Sequence, residues 1–120
     1  MRAVLGLMML VAACRSGTGS SGIVATVLMR NQSPYSISGA MDAEPSGLLP
    51  SGGAPPHSGD LCFRWTARPG DSVDIAMFST APQFATYNGV VQRSGWRHSD
   101  SHWLFYATDA FIGMQEGSPC

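Results

Sequence analysis

"LCFRWTARPGDSVDIAMF", residues 61–78, is the stretch that decides the fold class. Leu61, Phe63 and Trp65 fall on one side of a period-two pattern, and Val73, Ile75 and Met77 repeat it. Alternation of apolar and polar residues over short runs is the signature of a half-buried strand. Between the runs, Arg68-Pro69-Gly70-Asp71 carries turn chemistry, because proline presets φ and glycine opens positive φ at no steric cost. The reading is two strands, Leu61–Thr66 and Ser72–Phe78, joined as a hairpin.

The same grammar extends in both directions. "IVATVLMR" (23–30) and "YSISGA" (35–40) flank "NQSP", where Asn31 and Ser33 can bond their own backbone and Pro34 cannot join a central ladder. "QFATYNGVVQR" (83–93) holds Asn88-Gly89, the favoured pair for a two-residue hairpin turn. "GWRHSDSHWLFYAT" (95–108) reads as a further hairpin turning at Ser99-Asp100-Ser101, with a closing strand near Ala110–Met114. Met41–Asp60, with Pro45, Pro50, Pro55 and Pro56, reads as a long irregular loop that Leu48 and Leu49 tack to the core. A loop of that length in a small domain is either functional or mobile. No helical period appears. The expectation is an all-β chain: a small β-sandwich (Ig-like) or barrel of about seven short antiparallel strands.

Composition narrows the class. The chain has 120 residues, the size of one domain. Seven Arg, no Lys and eight acidic residues leave a net charge of −1, with no basic face to neutralise a nucleic acid. At the N-terminus Met1 and Arg2 precede "AVLGLMMLVAA" (3–13). Eleven helical residues reach about 16 Å, short of the roughly 30 Å hydrocarbon core of a bilayer. A charged start and a short apolar run are instead the layout of a secretory signal peptide.

That run closes on Val11-Ala12-Ala13-Cys14. This tetrapeptide resembles the lipobox of bacterial lipoproteins, an aliphatic residue and two small residues before a cysteine. The resemblance implies cleavage after residue 13, a diacylglyceryl thioether on Cys14 and usually an N-acyl chain, enough hydrocarbon for stable anchoring. It places the mature chain in a bacterial cell envelope, held to the membrane through the lipid on Cys14. Arg15 follows the cysteine where inner-membrane retention in enteric bacteria uses Asp, which favours an outer-membrane destination in a host that has one. The alternative is ordinary secretion, because Val11-x-Ala13 also suits the general signal peptidase. With Cys14 committed to lipid, Cys62 and Cys120 remain as a pair for an oxidising compartment. Their disulfide would close a loop of about 59 residues and stabilise by about 4 kcal/mol on the chain-entropy account. Two unrelated thiols are the alternative.

"GTGSSG" (17–22) matches the dinucleotide-binding pattern G-x-G-x-x-G letter for letter. That site needs a buried strand before the glycines and a helix opening after them. Here a signal peptide precedes them and the β-branched "IVATV" follows, so residues 14–22 read as a lipidated cysteine and flexible tether, and residues 23–120 as a single β domain. The arrangement is similar to the sandwich domains of many small bacterial lipoproteins, a resemblance of architecture that carries no functional residues.

"WRHSDSHW" (96–103) is the best candidate site. In a hairpin turning at Ser99–Ser101, His98 would face His102 and Arg97 would face Trp103 across the strands. Opposed Cβ atoms lie about 4.5–5.5 Å apart, close enough for both imidazoles to share a metal ion, with Asp100 as an added carboxylate. Zinc ordinarily takes three or four protein ligands, and the remaining histidine, His57, sits in the long loop. An exposed polar hairpin tip is the simpler reading. Arg97 over Trp103 suggests a cation–π pair, and Trp96, Arg97 and Trp103 would form a binding surface for an envelope protein or glycan if the rings face outward. Alternation sends half of these aromatics into the core. Ser, His and Asp are present without a G-x-S-x-G elbow, and no paired carboxylates stand in a glycosidase context, so no catalytic constellation emerges and no cofactor is implied. The expectation is a lipid-anchored envelope domain with a non-catalytic binding or structural role, its rival a metal-binding protein or small metalloenzyme built on His98 and His102.

Overall fold

The computed structural model describes residues 22–48, 52–87 and 89–120, with the backbone alone at 85–87. Most of the alternating runs form strands. The described strands are β1 (Val24–Asn31), β2 (Ile37–Glu44), β3 (Gly47–Leu48), β4 (Gly52–Ala54), β5 (Gly59–Thr66), β6 (Ser72–Ser79), β7 (Val90–Arg93), β8 (Ser101–Ala107) and β9 (Ile112–Glu116), with a 3-10 turn at Pro82–Tyr87. They form two packed sheets, a β-sandwich. One sheet has the order β5-β1-β8-β9; the other runs β3-β2-β6-β7, with β4 also paired to β2.

The strands are where the alternation puts them, but the neighbours are not those that sequence adjacency suggests. β1 and β2 lie in different sheets, and so do β5 and β6. The Arg68–Asp71 turn does form, with Asp71 N–H donating to the Arg68 carbonyl (3.1 Å), Arg68 N–H donating to Asp71 Oδ2 (3.1 Å) and Gly70 at φ 88°. It carries the chain around a corner between sheets and is not a hairpin turn. The physical reason is that period two specifies which side chains seek the core. It is silent on whether the next strand meets them side by side or face to face across the sandwich.

Three further expectations are corrected. Residues 83–87 form the 3-10 turn rather than a strand, and β7 pairs with β6 instead; Asn88 lies outside the described residues, while Gly89 has φ 76°. The stretch 41–60 is mostly ordered strand: Met41–Glu44 completes β2, and β3, β4 and the start of β5 occupy much of the rest, with Leu49 outside the described residues. The 95–108 hairpin does not exist, because β8 pairs in parallel with β1 and antiparallel with β9.

Inward-facing residues of both sheets make the core. Val27 and Met29 of β1, Met41 of β2, Ile75 and Met77 of β6 and Phe105 of β8 are all fully buried, each contributing about 1.5–3 kcal/mol of transfer free energy. The sheets approach so closely at Gly39 that a Cβ there would sit 2.5 Å from the Phe105 ring and 2.9 Å from the end of Met29. At the far end of β1, the buried Asn31 amide nitrogen lies 2.7–3.0 Å from the carbonyls of Tyr35, Ala54 and Pro55, while Asn31 Oδ1 accepts from Ser33 N–H (3.0 Å) and Oγ (2.7 Å). The Asn-x-Ser turn expected from the sequence thus fastens the crossing from β1 to β2 and pins the segment after β4.

Cys62 and Cys120 form a disulfide with Cα atoms 6.0 Å apart. Cys62 lies on edge strand β5, on the face opposite Leu61, Phe63 and Trp65, whereas β9 is the other edge of that sheet. The tail after Glu116 therefore passes over β8 and β1 to reach it, a strap across the outer face. Gly117 N–H donates to the His102 carbonyl (2.8 Å) where the strap leaves the ladder. Replacing both cysteines by serine is expected to lower unfolding free energy by about 2–4 kcal/mol, read as a lower urea midpoint; a midpoint equal to the parent's would mean that the strap does not restrain the domain.

Candidate functional site

The parallel pairing of β1 with β8 sets Ser101 beside Ala25 and His102 beside Thr26, at the end of the sandwich where the chain enters β1. The segment before β8 must come from the other sheet. Arg97 exchanges two backbone hydrogen bonds with Val73 of β6 (2.9 and 2.6 Å), and four residues later the chain is in β8. Residues 97–101 thus bridge the sheets and close that end. Asp100 fastens the bridge to the start of β1 by accepting from Val24 N–H at 2.7 Å.

A cleft of about 270 Å³ opens there, lined by Arg97, Ser99, Asp100, Ser101, His102 and Glu116. Glu116 enters from β9, where it pairs with Trp103 across the ladder, and its Oε1 lies 3.6 Å from the Arg97 guanidinium. Arg97 Cζ sits 5.2 Å from the centre of the Trp103 ring. The cation–π contact expected from the sequence is therefore present, though it spans an inter-sheet bridge and not a hairpin. Three buried groups in this region have no hydrogen-bond partner: Arg97 Nε, Ser101 Oγ and Trp103 Nε1. Two of them can only donate, and the hydroxyl can do either. Buried polar groups are almost always paired, and leaving one unpaired costs about 1–3 kcal/mol. Three together mark this end of the molecule.

The remaining candidates are dispersed. His98 Nδ1 is 3.0 Å from Ser72 Oγ, on the side of the second sheet. His102 Nδ1 is 2.6 Å from Thr26 Oγ1 on the outer face of the first. The cross-strand opposition that would let His98 and His102 share a metal depends on the hairpin that does not form. His57 belongs to the opposite end, donating its N–H to Ser33 O at 3.1 Å. Among the described residues no three His, Cys, Asp or Glu side chains gather as metal ligands. The aromatic patch also separates: Trp103 is 6% exposed and belongs to the core, whereas Trp96 is 44% exposed. The sequence places Ser101 only in a turn and gives Glu116 no role. Both are single polar residues whose ladder neighbours, Ala25 and Trp103, lie on other strands, so no local pattern marks them.

A shallower depression on the outer face of the first sheet is lined by Arg30, Gln32, Leu104, Tyr106 and Gln115. Arg30 there pairs with Asp60 across β1 and β5, Nε to Oδ1 at 2.9 Å and a second nitrogen to Oδ2 at 3.1 Å. Those hydrogen bonds hold the Asp60 carboxyl below its usual range, against the opposing effect of desolvation and with the guanidinium charge assisting.

No known protein family, no curated protein and no solved structure matches the chain.

Two outcomes are expected here. Trp103→Ala should destabilise the domain by about 3–5 kcal/mol as a large core truncation, while Trp96→Ala should stay within about 0.5 kcal/mol, both measured by urea unfolding. A carboxyl-detected NMR titration should place the Asp60 midpoint below the ordinary aspartate value of about 3.9, and Arg30→Ala should raise it. Because the folded-state value is depressed, the pair's contribution is present above the unfolded value and fades as pH falls through the folded one.

Proposed function

We propose that this chain is a lipid-anchored protein of the bacterial cell envelope whose β-sandwich has a non-catalytic binding role. Val11-Ala12-Ala13-Cys14 supports the anchor: residues 1–13 serve as the lipoprotein signal peptide, Cys14 carries the acyl chains and residues 15–22 are the tether. Residues 1–21 lie outside the described part, so the anchor rests on the sequence pattern. The Cys62–Cys120 bridge agrees with export to an oxidising compartment.

The observation that carries the binding role is the polar end cleft, two of whose lining residues, Arg97 and Ser101, also hold a buried atom without a hydrogen-bond partner. A concave site in which polar groups converge is the kind of surface that takes a polar ligand. The surroundings favour holding over reacting. Asp100 and His102 are each already engaged, with Val24 N–H and with Thr26. Trp96, exposed nearby in sequence, extends the surface available to an envelope partner.

Full-length protein made in a bacterial host should appear in the membrane fraction with the mass of a chain starting at Cys14 plus two or three acyl chains. Cys14→Ser should release it to the soluble fraction. Arg97→Ala, introduced into the lipidated protein, should reduce retention of envelope material by about tenfold while the fold persists by circular dichroism. An unlipidated product would refute the anchor, and retention unchanged by the Arg97 variant would refute the cleft as the binding site.

A further inference from the structure

We infer that the end cleft is a saccharide site, taking a neutral, hexose-sized polyhydroxylated ring; the inference rests on the proposed binding role and names its ligand class. Four features of the cleft point to this chemistry.

The first is its lining. Arg97, Ser99, Asp100, Ser101, His102 and Glu116 all end in hydrogen-bonding groups, and Gly117 completes the wall without a side chain. No apolar side chain is present to clasp an acyl chain or an aromatic ring. Beside the cleft, the face of Trp103 is covered by the Arg97 guanidinium.

The second is the balance of donors and acceptors. Arg97, whose side chain is 39% exposed, and the Ser99 and Ser101 hydroxyls bring donors to the lining. On the same cleft, Asp100 and Glu116 are carboxylates that only accept. Asp100 Oδ1 is engaged by Val24 N–H at 2.7 Å, which leaves its second oxygen for a ligand. Glu116 is held only loosely by Arg97, at 3.6 Å. A ligand that satisfies both sets must accept and donate over a small area. A ring of adjacent hydroxyls does so, because each hydroxyl carries one donor and two lone pairs.

The third is charge. One arginine stands against an aspartate and a glutamate, so carboxylates outnumber guanidinium groups in the lining. That disfavours phosphate, sulfate and polyanions, for which a site would need an excess of cations. The fourth is size: about 270 Å³ falls just below the range of about 300–1,000 Å³ typical of drug-sized ligands, which suits one sugar ring.

The cleft also lies beside the start of β1, since Val24 donates into Asp100. In a lipid-anchored protein this is the end of the domain at which the chain from Cys14 enters the sandwich. A sugar headgroup of a membrane glycolipid and a soluble glycan are therefore both within reach of the same chemistry.

The test uses the full-length chain carrying Cys14→Ser, labelled so that its three indole N–H resonances are resolved by NMR. Glucose, galactose, N-acetylglucosamine and inorganic phosphate are titrated separately. A second arm measures capture of the protein on vesicles with and without a glucosyl-diacylglycerol headgroup. A neutral sugar is expected to move the Trp103 indole resonance saturably while leaving that of Trp96 in place, and Ser101→Ala is expected to weaken that affinity about tenfold. Response to free sugar identifies a soluble ligand; response only to glycolipid vesicles identifies a headgroup; either supports the inference. Response to phosphate alone, no saturable response to any sugar or glycolipid, or sugar binding that spares both Trp103 and the Ser101 variant would overturn it. If retention of envelope material still depends on Arg97 when every sugar fails, only the ligand class falls. If that dependence is also absent, the binding role falls with it.

Discussion

The parallel ladder between β1 and β8 is the constraint on which the rest of the molecule depends. Parallel neighbours cannot be joined by a tight turn, and here some seventy residues separate them. Everything between has to leave the first sheet and come back, and the second sheet is what that excursion builds. The return must arrive at the same end of the sandwich at which β1 begins, because parallel strands start together. That single requirement brings Arg97, Asp100 and Ser101 to the chain-entry end and sets Asp100 against Val24.

The cleft follows from how the return is made. Arg97 is still hydrogen-bonded to β6 of the second sheet, while Ser101 already belongs to β8 of the first. So short a bridge spans the gap between sheets only by lying across the open end of the core. There it covers Trp103 with a guanidinium instead of a hydrocarbon. Polar groups that would reach water on a free loop are held at the rim of the interior, and some go unpaired. β9 contributes Glu116 to the same rim, and the strap that follows ends in the bond to Cys62. The disulfide therefore restrains one wall of the cleft as well as the C-terminus.

Much of the fold was legible in the sequence, for a simple physical reason. Val27 and Met29, Phe63 and Trp65, Val73, Ile75 and Met77 recur at every second position, and each of these strands forms with that face inward. The Asn31–Ser33 turn and the Cys62–Cys120 pair were legible too, since both follow from local chemistry or from counting. What stayed hidden was every choice between neighbours. Arg68–Asp71 has the same turn residues whether the chain folds back in one sheet or rounds a corner to the other. Met41–Glu44, read as loop because Pro45 follows, is strand because β6 supplies a ladder that no local signal announces. The site was half visible: Arg97 and Trp103 do meet, but through a bridge between sheets, so the inferred opposition of His98 and His102 disappears while Ser101 and Glu116 enter.

The parallel ladder can be tested directly by inter-strand nuclear Overhauser contacts in the uniformly labelled domain. The account requires backbone contacts that pair Thr26 with His102 and Leu28 with Leu104, together with contacts between Arg97 and Val73. Contacts of residues 96–98 with residues 102–104, in the register of a local hairpin, would contradict it and would dissolve the cleft along with the ladder.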